Sequence, residues 1–177
     1  LESQMDTLFK ITHSSNFNTS IQALLLIEQL ATTKSLCVDR FYRTLYESLL
    51  DPRLITSSKH ALYLNLLYRS LRSDLDEVRV KSFIKRMMQI LTLHQPPFIC
   101  GILYLINELE MKFPGIRFLL TEPEENDLEE KFYDVPDDGD NAQLHKSTQN
   151  SSCSIKYDGK KRDPRHSNVS KSCLWEL

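Results

Sequence analysis

The sequence predicts an all-α fold, and three observations carry that prediction. Across residues 1–120 apolar side chains recur at three- and four-residue spacing, the period of one helix face. Only 4 of the 177 residues are glycine, too few for the tight hairpins of a strand-rich chain. Helix-opening signals near residues 19, 37, 57, 75 and 97 fall 18–22 positions apart, so that helices taken in pairs make a unit of ~40 residues. That is the period of HEAT- or armadillo-type pairs, and it predicts an α-solenoid, with a compact irregular helical bundle as the alternative.

A first helix is predicted over 2–12. Asn18-Thr-Ser supplies cap chemistry for a second, carrying Ile21, Leu24, Leu25, Glu28 and Leu30 and ending near Thr33. A third runs from Val38 to Leu50, with Phe41, Tyr42, Leu45 and Leu49 on one side, and Asp51-Pro52 stops it because proline restricts the residue before it. Thr56-Ser57-Ser58 opens the fourth, over 57–72. Its apolar arc is wide and its polar strip (Asn65, Arg69, Arg72) narrow, so it is expected to be covered on more than one side. Asp74 is expected to cap the fifth, over 75–93, and Gln95-Pro96-Pro97 separates it from a sixth over 97–112. This sixth helix is apolar nearly all round, which predicts a central position, with Gly101 permitting a close helix approach. Pro114-Gly115 ends it, and a short helix follows over 116–120.

The charge layout divides the chain further. There are 22 Lys and Arg against 24 Asp and Glu, but residues 1–120 carry a net +3, residues 121–140 a net −9 and residues 141–177 a net +4. Ten like charges in a row of twenty residues resist packing, so 121–155 reads as a disordered acidic and polar linker between a partial helical repeat domain (1–120) and a basic, irregular segment (156–177). The single Trp175, with Leu174 and Leu177, predicts that this last segment docks onto helices. The absence of an initiator Met and the apolar ending suggest an internal piece of a longer protein. No run approaches ~18 uninterrupted apolar residues, so no membrane span is expected.

Few residues argue for chemistry. Ser82-Phe-Ile-Lys85 matches an SxxK pattern, but it lies mid-helix without the SDN or KTG partners, and it reads as solvated helix surface. His145, Cys153, His166 and Cys173 fit no common zinc spacing. Cys37 and Cys100 are expected to pack as small apolar residues, and His60 and His94 to sit at helix ends. No catalytic, cofactor or metal residues are assigned, and no enzyme is read here. The one binding signal is basic: Arg69 and Arg72 on one helix, and Arg79, Lys81, Lys85 and Arg86 on the next. Were the two helices antiparallel neighbours, these six would form a positive edge for nucleic-acid phosphates. The competing reading is an ordinary solvated face.

Several runs occur together and in order: Phe17-Asn-Thr-Ser-Ile-Gln-Ala-Leu24, Arg40-Phe-Tyr-Arg-Thr-Leu-Tyr46, the stretch Asp51 to Arg72, Arg79-Val-Lys-Ser-Phe-Ile-Lys-Arg86, Gln95-Pro-Pro-Phe-Ile-Cys-Gly101 and Leu174-Trp-Glu-Leu177. They resemble the CCAAT-binding-factor family of nucleolar complex proteins. The resemblance implies a helical-repeat scaffold of the nucleolus, acting in maturation of the large ribosomal subunit. Its implied partners are pre-ribosomal RNA and another nucleolar helical-repeat protein. It also implies a link to transcriptional activation at CCAAT-containing promoters, and it offers no catalytic residues.

Overall fold

The computed structural model describes residues 2–120 and 156–176. The linker assigned to 121–155 lies outside the described residues. Among those described there are six α-helices and four short 3-10 segments, and no strand. The helices are α1 (Glu2–Thr12), α2 (Phe17–Lys34), α3 (Val38–Ser48), α4 (His60–Ser73), α5 (Glu77–Leu91) and α6 (Pro96–Lys112). The α2 helix lies against α1, α3 and α4, and α4 lies against α6. The α5 helix contacts α6 and the 3-10 turns at Pro114–Leu120, Pro164–His166 and Val169–Lys171.

Local chemistry explains most boundaries. The α2 N-cap is Asn16, two residues before the expected one, and its side chain accepts a hydrogen bond from the Asn18 amide at 2.9 Å. That choice puts Phe17 at the first helical position, where its ring meets Tyr63 at 6.0 Å and is buried. The α5 cap is Asp76, which accepts from the Arg79 amide. Asp74, the expected cap, is instead buried in an ion pair. Pro96 and Pro97 occupy the first turn of α6, where a missing amide proton costs nothing.

The core runs through all six helices and continues into the C-terminal segment, where Val169 and Leu174 are buried. Tyr46, Tyr63, Phe41, Phe83 and Phe98 are its largest fully buried apolar side chains. The wide apolar arc expected of α4 holds: Tyr63, Leu66, Leu67 and Leu71 are buried, and Leu62, Leu64 and Tyr68 pack partly against the core. The expectation for α6 is corrected. Phe98, Ile102, Leu105 and Leu109 face inward, but Cys100, Leu103, Tyr104 and Met111 are exposed, so its apolar outer face is uncovered among the described residues. Gly101 does mark a close approach, since a Cβ there would lie 2.6 Å from Leu64 Cδ1 of α4. Cys37 is also exposed rather than packed, and opens α3 with a left-handed φ of 54°.

Candidate nucleic-acid interface

The six basic residues do not share one exposed edge. On α4, Arg69 is exposed and pairs with Glu28 at 3.0 Å, and Arg72 is exposed with its guanidinium on the Tyr68 hydroxyl at 2.6 Å. On α5, Lys81 forms an i,i+4 pair with Glu77 at 3.0 Å. The other three, Arg79, Lys85 and Arg86, are buried. The expectation of an open edge is therefore corrected for half of its members, and each has a distinct reason.

Arg79 closes a bidentate pair with Asp74, at 2.6 Å from Nε and 2.5 Å from Nη2, and stacks 4.0 Å above the Tyr42 ring. Burial pulls this guanidinium down, but the Asp74 hydrogen bonds and charge outweigh it and leave it above its ordinary value. Burial and the Asp74 charge together push the Tyr42 hydroxyl up to about 12. That hydroxyl donates to the Ser70 carbonyl at 2.8 Å and ties α3 to α4.

Lys85 and Arg86 are covered by the segment 156–176, which crosses the polar arc of α5. The Lys85 ammonium meets both Glu176 carboxylate oxygens, at 2.6 and 2.7 Å, and the Cys173 carbonyl at 2.6 Å. Arg86 stacks 3.3 Å from the Tyr46 ring centroid and donates to the carbonyls of Tyr46, Gly159 and Lys161. Burial holds the Arg86 guanidinium below its usual value. Ser82 is likewise buried, not solvated. Its hydroxyl reaches the Val78 and Pro164 carbonyls and the Ser167 hydroxyl at 2.7–2.9 Å. A hydrogen bond from the Leu174 amide to the Leu119 carbonyl fixes the far end of the segment. Leu174 is buried where the segment lies on the helices, while Trp175 is 76% exposed.

The basic side chains the fold does gather at the surface are different ones. Lys10 and His13 from the end of α1, Arg40 and Arg43 from α3, and Arg162 from the C-terminal segment line one open depression of about 370 Å³. These positions are separated by up to 152 residues in sequence, so no local pattern links them. Among the described residues, no group of three or more His, Cys, Asp and Glu side chains is placed to hold a metal ion. No helix among them is long and apolar enough to cross a membrane.

Comparison with known proteins now adds ancestry. The chain is 64% identical over 182 residues to the ribosome biogenesis protein NOC1 of Chaetomium thermophilum, which covers 100% of this chain and 18% of that protein. It is 49% identical over 135 residues to human CCAAT/enhancer-binding protein zeta, covering 76% of this chain and 13% of that protein. Nucleolar complex protein 1 of Drosophila melanogaster is 38% identical over 107 residues, or 59% of this chain and 9% of that protein. The chain thus spans less than a fifth of the length of each of these relatives. The model of the CBF/Mak21 family matches residues 20–177, which takes in most of α2, all of α3 to α6 and the docked segment alike: the chain belongs to the CBF/Mak21 family.

Proposed function

We propose that this chain is part of a non-enzymatic scaffold for large ribosomal subunit assembly in the nucleolus. The observation that carries the reading is identity of 64%, along the whole chain, to a protein named for ribosome biogenesis. A relative named for a nucleolar complex supports the location and the existence of protein partners. On this reading the helices are two-helix repeats of an α-solenoid whose partners are pre-ribosomal RNA and another nucleolar helical-repeat protein. The exposed apolar outer face of α6, with Leu103, Tyr104 and Met111, supports protein docking, since solvated apolar patches on one helix face commonly mark contact sites. Arg69, Arg72 and Lys81 are the members of the expected basic set that retain access to RNA phosphates.

A second reading is a DNA-binding activator at CCAAT-containing promoters, supported by the name of the human relative. Against it, the sequence has no helix-turn-helix, zinc-finger or basic-zipper pattern. One experiment separates the two. The full-length protein is recovered by affinity from nuclear extract with and without ribonuclease, and its binding to structured RNA is competed with CCAAT duplex at fixed salt. Co-recovery of large-subunit precursor RNA, lost with ribonuclease and indifferent to the duplex, is the expected result. Recovery free of ribosomal precursors, with the duplex as the stronger ligand, would overturn the scaffold.

A further inference from the structure

We propose that the depression between α1, α3 and the docked C-terminal segment is a binding site for the phosphodiester backbone of RNA. The inference rests on the RNA-binding reading above and gives it a location away from the α4–α5 edge. Five cationic or imidazole side chains converge there: Lys10, His13, Arg40, Arg43 and Arg162.

The three arginines are oriented without being used up. Arg40 stacks 4.1 Å from the centre of the buried Phe9 ring and reaches Asp6 through Nη1 at 2.5 Å. Arg43 gives only its Nε, to the Asp39 carbonyl at 3.3 Å, with Asp163 at 3.9 Å. Arg162 gives its Nε and Nη2 to Glu47, at 2.5 and 3.2 Å. A guanidinium has five N–H donors, so each arginine keeps donors for an incoming anion. Fixing an arginine in advance reduces the entropy it loses on binding. Lys10 is exposed with no carboxylate partner among the described residues, and it supplies unneutralised charge.

The surroundings favour a phosphate chain over an acidic peptide. A peptide normally anchors through an apolar side chain in a pocket. Here the one aromatic residue in the lining, Phe9, is 2% exposed and already covered by Arg40. Phosphates need only donors and charge, and arginine forks match their geometry. Lys160 and Lys161, both exposed, directly precede Arg162 in the chain. The volume of about 370 Å³ lies within the ~300–1,000 Å³ typical of ligand pockets.

The test compares the parent chain with a Lys10→Gln, Arg43→Gln, Arg162→Gln variant. A charge-matched control carries Lys34→Gln, Lys59→Gln and Lys171→Gln. Arg40 is left intact because it packs on the core. The probe is a fluorescent single-stranded RNA, titrated between about 50 and 200 mM KCl, with thermal melts to verify folding. The pocket variant is expected to lose roughly tenfold or more in affinity, and the slope of log K against log salt to shrink by about 2, as three lost phosphate contacts require. The control should stay within roughly twofold of the parent. Equal loss in both variants, with a binding parent, overturns the site and leaves the RNA reading standing. A parent that binds no RNA at low salt overturns the RNA reading and the site with it. Poly-glutamate that binds as tightly as the RNA and is weakened equally by the pocket substitutions overturns the phosphate assignment.

Discussion

Lys85 and Glu176 stand 91 positions apart and form an ion pair in which both side chains are nearly excluded from water. A pair of this kind need not outperform two apolar residues, but removing one partner strands the other charge. Glu176→Gln is therefore expected to destabilise the chain by about 3–5 kcal/mol, read from urea denaturation. A Lys85→Met, Glu176→Leu double variant should recover most of that loss. If the single variant unfolds at the parent midpoint, the pair does not secure the segment. Charge reversal at Arg79, Lys85 and Arg86 is expected to unfold the helices rather than to report on RNA. His94 supplies a pH prediction. Its ring stacks on Phe98 at 4.3 Å, and burial, aided by nearby His60, holds it below its ordinary 6.5. A depressed histidine favours the neutral form in the fold. Its stabilising contribution is complete above 6.5 and is lost as pH falls through the lower folded-state value. The melting temperature of the parent should thus drop on acidification just below 6.5 more steeply than that of His94→Gln. Parallel curves for the two proteins would count against this origin.

At the scale of the element, helix identity was legible because it depends on spacing, and spacing is printed in the sequence. The expected limits of α1 match those observed, and all six helices fall where apolar periodicity put them. Leu66 faces the core with no exposure, so Leu66→Ala is expected to cost ~2–5 kcal/mol in chemical denaturation. A loss below about 1 kcal/mol would mean that the core around Leu66 repacks freely. Caps were less legible. Residues 14–18 read Ser-Ser-Asn-Phe-Asn and offer four competent cap side chains, and tertiary burial of Phe17 selects among them. Asp74 and Asp76 posed the same ambiguity, settled by Arg79, which takes Asp74 into the interior and leaves Asp76 to cap α5. Asp76→Ala should accordingly cost about 1 kcal/mol, the usual worth of such a cap. The polar arc of α5 misled for a different reason. A helical wheel shows which face is polar, but not whether another segment satisfies that face. Here the covering groups, backbone carbonyls and the Glu176 carboxylate, come from 73–91 residues downstream. The surface depression was invisible for the same reason, since three separated segments each contribute one or two cations.

For the whole molecule, the consequence is that residues 156–176 belong to the same core as the helices. Arg86 is the sharpest case: two of its three carbonyl partners, Gly159 and Lys161, come from this segment, beside the Tyr46 carbonyl of α3. A chain truncated after residue 155 would strip Lys85 of Glu176 and the Cys173 carbonyl, Arg86 of the Gly159 and Lys161 carbonyls and the Ser82 hydroxyl of Pro164 and Ser167, and would uncover the surface that Pro164, Val169 and Leu174 bury. Loss of the apolar burial that Val169 and Leu174 contribute is expected to make the truncated chain less stable by at least about 3 kcal/mol. Its melting temperature should fall by roughly 10 °C, as expected for a chain of this size. A synthetic peptide of residues 156–177 added in trans should restore part of that loss in a concentration-dependent way, because anything that binds only the folded chain stabilises it. A peptide carrying Glu176→Gln should restore less, since it lacks the carboxylate that meets Lys85. An unchanged melting temperature on truncation, together with no effect of the peptide, would show that α5 tolerates its buried cations without the segment. The extension of the core beyond α6 would then have to be abandoned.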